Sequence, residues 1–77
     1  MKVYVIEEGC KYEGTGIVAI YALESSALLA CDHIIANHRM RKYTRGVVDA
    51  VSFAAGLRHV WEDESDILYI SEHEVIQ

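Results

Sequence analysis

Seventy-seven residues with a formal charge of −5 and an apolar fraction of 52% are expected to form a single small α+β domain with one core and no internal boundary. Chains this short bury only roughly 60% of their extended surface, so the apolar excess implies a face left for another protein, a homodimer being the simplest arrangement. The longest apolar run, residues 17–23, is too short to span a bilayer, and the opening residues 1–8 meet two acids before any leader-like run, so the expected location is the cytoplasm, with no membrane partner.

The first element is a strand over residues 2–7, where Val3, Tyr4, Val5 and Ile6 place apolar groups on both faces. Residues 9–16 hold three glycines and read as a loop. A second β-rich run, Ile17 to Ala22, pairs back on the first as an antiparallel hairpin. Ser25 and Ser26 offer an N-cap for a helix. Its stripe of Ala27, Leu28, Cys31, Ile34, Ile35 and His38 recurs at intervals of three and four, with Asp32, Asn37 and Arg41 facing outward.

The pattern lapses over residues 39–46, and Gly46 is a terminator or hinge. Val47, Val48, Val51, Ala54 and Ala55 then fit a second helical face closed by Gly56; one continuous kinked helix is the alternative. Residues 59–62 and 66–70 form a second hairpin around the polar turn Asp63-Glu64-Ser65, and residues 72–76 extend its last strand. The expected fold is ββ, a helical middle of one or two helices, then ββ, with a small antiparallel sheet packed on the helices.

Six side chains are soft-metal candidates: Cys10, Cys31, His33, His38, His59 and His73. Their spacing lacks the paired ligands that a tetrahedral site needs, so no metal or cofactor is expected. Cys31, on the apolar stripe, is expected to be inert. Cys10, in the glycine loop beside Lys11, is the better placed thiol but has no base or oxyanion donor near it in sequence. The carboxylates of Glu62, Asp63, Glu64 and Asp66 lack the alternating ligands and central glycine of a calcium loop. The glycines of residues 9–16 precede a strand, not a helix N-terminus, which excludes a phosphate cradle.

Charge is segregated. Five of the seven Lys/Arg side chains are Arg39, Arg41, Lys42, Arg45 and Arg58, and after Arg58 come six acids and no further Lys or Arg. Arg39, Arg41, Lys42 and Arg45, with Tyr43 as a stacking ring, make one candidate binding surface for an anionic partner. Glu62, Asp63, Glu64 and Asp66 make the other, suited to a cationic groove on another protein. Each has a plainer alternative: cations at a helix end favour its dipole, and acids on an outer strand discourage edge-to-edge aggregation.

The opening Met1-Lys2-Val3-Tyr4-Val5-Ile6-Glu7-Glu8, Tyr12-Glu13-Gly14, the run Ile17 to Ala22 and the serine-capped helix resemble short bacterial and bacteriophage domains with no assigned activity, over about the first half of the chain. In size, acidity and lack of a catalytic constellation the chain also looks like small phage proteins that disable a host system, such as anti-CRISPR or other counter-defence inhibitors. That resemblance implies a non-enzymatic module occupying a surface of a larger host protein or nucleoprotein complex, in the host cytoplasm. The alternative is a small nucleic-acid-binding domain using residues 39–45.

Overall fold

The computed structural model describes residues 1–37 and 42–76. Strands β1 (Lys2–Cys10) and β2 (Gly14–Tyr21) are followed by helix α1 (Glu24–Asn37), the two-residue strand β3 (Thr44–Arg45), the short helix α2 (Ala50–Ala54), and strands β4 (Leu57–Glu62) and β5 (Asp66–Glu74). All pairings are antiparallel, in the order β2-β1-β5-β4-β3. Both expected hairpins are present, and the α+β class holds.

The glycine loop is shorter than the sequence suggests. β1 continues through Gly9 and Cys10, leaving only Lys11, Tyr12 and Glu13 between the strands. Gly9 allows this because a Cβ there would lie 2.3 Å from the Gly14 carbonyl oxygen and 2.7 Å from the Thr15 Cα. Gly14 opens β2 at φ 100°, a conformation that side-chain-bearing residues rarely adopt. The turn is then pinned to the far hairpin by the Lys11 amide, which donates to the Ser65 carbonyl at 2.8 Å.

Register defines two faces. On one, Tyr21, Tyr4 and Glu72 share a row, Ala19, Ile6, Ile70 and His59 the next, and Glu8, Leu68, Trp61 and Arg45 a third. Helix α1 lies over this face. Its expected stripe is correct: Ala27 and Cys31 are fully buried against Ile6, Leu68, Ile70 and Trp61, with Leu28, Ile34 and Ile35 beside them. Asp32 and Asn37 are exposed, as the periodicity requires. Ser25 and Ser26 fall within the first turn of the helix, not before it, because α1 already starts at Glu24. His38, Arg39 and Arg41 lie outside the described residues.

The middle of the chain differs most from expectation. It holds two helices separated by β3, and the second is only five residues long, without a single buried side chain. Asp49 is its N-cap, its carboxylate accepting from the Ser52 amide at 2.7 Å, and Gly56 closes it at φ 109°. Val47, Val51, Ala54 and Ala55, read from the sequence as a core-facing stripe, are exposed. With α1 already filling the core of the helix-covered face, α2 is left to lie on the opposite one, against β4. The acidic end also moves: β5 is the central strand of the sheet, not an outer one.

Candidate functional site

Of the basic segment, the described residue Lys42 meets the acidic turn in space. Lys42 and Thr44 line one side of an open cleft of about 610 Å³, with Glu62, Asp63, Glu64 and Ser65 on the other. The β3–β4 pairing, Thr44 opposite Glu62 and Arg45 opposite Trp61, brings them together. Most of these groups already have internal work. Asp63 accepts from the amides of Ser65 at 3.0 Å and Asp66 at 2.7 Å, which folds the turn, and Glu62 pairs with Lys11 at 3.8 Å. Glu64 is exposed, and Asp66 is half-buried, next to the Ser65 hydroxyl.

The basic surface is likewise partly turned inward. The Arg45 guanidinium lies 4.5 Å from the centre of the Trp61 ring and donates to Nδ1 of His59. Tyr43 packs on the core, and its hydroxyl donates to Glu8 at 3.4 Å. A ring held this way is not a free platform for a base. Lys42 alone of the described residues in that segment keeps an exposed charge clear of these contacts.

Sequence reasoning missed the chain of contacts that anchors β3. His59 and Trp61 alternate on the helix-covered face of β4, with ring centres 6.1 Å apart. His59 Nδ1 faces Arg45 while its buried Nε2 looks toward Glu24 in the first turn of α1, 3.6 Å away. Because arginine can only donate, this contact is a hydrogen bond in the neutral tautomer that carries its proton on Nε2 and leaves Nδ1 to accept. Burial, and then the Arg45 charge, hold its pKa below the ordinary 6.5. The alternation of His59 and Trp61 was the only sequence signal of this cluster, and nothing local links either to Glu24 or Arg45.

Two further polar networks are structural. Glu72 accepts from Tyr4 at 3.0 Å and from Arg58 at 3.1 Å, and lies 3.7 Å from Lys2; the Tyr4 hydrogen bond first, then Arg58, depress its pKa. Glu7 accepts from Tyr69 at 2.8 Å and from Thr15 at 3.2 Å. The thiols are both free and far apart in character. Cys31 is fully buried, and desolvation pushes its pKa up to about 12, so thiolate is scarce at neutral pH. Cys10, expected in a loop, ends β1 opposite Asp66 and is half-buried. Among the described residues no three His, Cys, Asp or Glu side chains converge as metal ligands.

No protein-family model, curated protein or solved structure matches this chain. The surface that remains is apolar. On the face opposite α1, Ser52 of α2, the C-cap residue Ala55, and Leu57, Val60, Ile67 and Tyr69 of the sheet line a groove of about 330 Å³. In and before α2, Val47 is 93% and Val51 81% exposed, and the Phe53 ring carries the Arg58 guanidinium at 4.0 Å. No helix of the described residues is long and apolar enough to cross a membrane.

Proposed function

We propose that the chain is a non-enzymatic protein-binding module whose groove between α2 and the open sheet face receives an apolar segment of a larger protein. One observation carries this reading: α2 buries none of its own side chains and holds Val51 out to solvent. A five-residue helix without a hydrophobic anchor gains little from folding alone, whereas an apolar groove with a water-exposed rim is what a partner's side chains can fill.

The surrounding charge selects the partner's character. With a net charge of −5 and Glu62 and Glu64 near one end of the groove's sheet, the complement is an apolar segment flanked by cations, as on a protein that handles nucleic acid. Such a module fits the expected role of a small inhibitor or accessory factor that covers a surface of a host protein or nucleoprotein complex. The nucleic-acid-binding alternative is weakened by the inward commitment of Arg45 and Tyr43.

Capture from a lysate of the native host, with native protein and a Val51→Lys variant compared at equal concentration, tests the reading. The expected result is a protein retained by the native chain and lost with Val51→Lys. Equal retention by both, or a low-salt mobility shift of DNA or RNA that falls steeply as salt rises, counts against it.

A further inference from the structure

The surface at the far side of the sheet from α2 carries a second inference, independent of the groove. β2 is an edge strand of eight residues, and residues 14–23 contain no charged side chain. In an antiparallel pair about half of the edge strand's N–H and C=O groups point away from its neighbour, and β2 has β1 on one side only. Its apolar side chains follow the same surface: Ile17 is 64% and Ile20 57% exposed, with Val18 between them and Leu23 beyond.

Natural edge strands are kept from pairing by lysine, proline, shortness, a bulge or a covering element. β2 has neither lysine nor proline and it is long; α1 lies over one face of the sheet, and among the described residues no strand pairs with the outer side of β2. Among the described residues the edge has a bulge, where Val18 is the extra residue between the pairs Ile6–Ala19 and Glu7–Ile17. It increases local twist and leaves the edge uncharged.

We infer that β2 is a self-association edge, on which β2 of a second copy pairs antiparallel about a two-fold axis to join two five-stranded sheets into one. The choice of a second copy follows from charge and symmetry. On a molecule of net charge −5, two identical chains repel over most of their surface, and the uncharged stretch 14–23 is where they approach without juxtaposing like charges. A two-fold axis needs one self-complementary patch, and an antiparallel strand is complementary to itself in backbone hydrogen bonding. Full overlap of Gly14–Tyr21 with itself sets Ile17 opposite Val18 of the second copy, so that these two residues, 64% and 49% exposed, lie at the axis.

The test is the oligomeric state of the whole chain by light scattering across concentration, with Val18→Lys and Ile20→Lys as edge variants and Val51→Lys as a variant of the separate α2 surface. Native protein and Val51→Lys are expected at twice 8.7 kDa, and either edge lysine is expected to weaken association at least tenfold. Hydrogen exchange supplies a readout that needs no variant: amides within residues 14–21 should slow as protein concentration rises. A native mass of 8.7 kDa at every concentration overturns the inference. So does a dimer that survives both edge lysines, or one whose 14–21 amides exchange at a concentration-independent rate. Because Val51 and the edge are probed separately, loss of partner capture and loss of self-association are distinguishable.

Discussion

At one edge of the sheet β2 runs for eight residues without a charge, whereas at the other β3 is only Thr44 and Arg45, each fastened inward. The Thr44 hydroxyl donates to the Glu62 carbonyl at 3.2 Å, and Arg45 lies over Trp61 and bonds His59. Two residues offer too little backbone for another chain to continue, and a cation at the end discourages approach. The contrast teaches that an edge is closed by what its side chains do inside the molecule as well as by what they show outside. Arg45, although exposed, has its guanidinium held by Trp61 and His59, while β2 carries exposed aliphatic side chains.

That contrast can be broken from either side. Trp61→Ala should have the largest effect, since it removes a buried core side chain together with the seat of Arg45. A loss of about 3–5 kcal/mol is expected, read as a lower midpoint in urea unfolding, with β3 detached from β4. Gly9→Val attacks the other edge, because backbone atoms of Gly14 and Thr15 occupy the space its Cβ needs and neither is the tip of a flexible side chain. The cost is expected at the upper end of about 1–3 kcal/mol, with hydrogen exchange showing the loss localised to β1 and β2. Arg45→Ala, which spares the core but frees the Trp61 face, should cost about 0.5–2 kcal/mol.

Acid sharpens the comparison at the β3 edge. The folded His59 has a pKa depressed below 6.5, so as pH falls below that value the unfolded chain takes up a proton that the folded chain refuses. Stability should therefore decline from pH 6.5 downward until the folded imidazole also titrates, and His59→Gln should flatten that part of the profile. Glu72 acts in a lower window. Its depressed pKa means that its contribution is present above its ordinary 4.5 and disappears as pH falls through the folded value, so a second decline belongs below pH 4.5. Urea midpoints measured against pH separate the two. The smallest effect on stability is expected for Ile20→Lys, within about 0.5 kcal/mol of native, because that side chain is more than half exposed; its consequence should appear only in self-association.

Particular elements show what was legible in the residues. The α1 stripe could be read because Ala27, Cys31 and Ile34 repeat at a helical period that only one buried face satisfies, and the hairpins because two β-rich runs flank a polar turn in each case. The end of β1 was misjudged because glycine is a loop signal in isolation, while Gly9 is present here to let two backbones approach. β3 has no period to detect, being two residues long. The helical pattern of residues 47–55 was real but too optimistic: its valines match an inward face, yet the core they would enter is already closed by α1. Of the candidate site, Lys42, Arg45 and Glu64 are exposed, Arg45, Tyr43 and Asp63 also make contacts within the fold, and the groove beside α2 emerged only when α2 proved to have no buried face.

The sequence by itself determined the class of the protein, the pairing of neighbouring strands and the buried side of α1, because these depend on side-chain alternation and period within ten or so residues. Tertiary structure alone decided that β5 stands in the centre, that Lys42 shares a cleft with Glu62, Asp63 and Glu64, and that β2 lies at an edge of the sheet among the described residues. Those outcomes turn on which distant strands exchange backbone hydrogen bonds. Every backbone amide and carbonyl is nearly alike to its partner, so the choice is made by the packing of Ile6, Leu68, Ile70 and Trp61 beneath one helix, which no local pattern encodes.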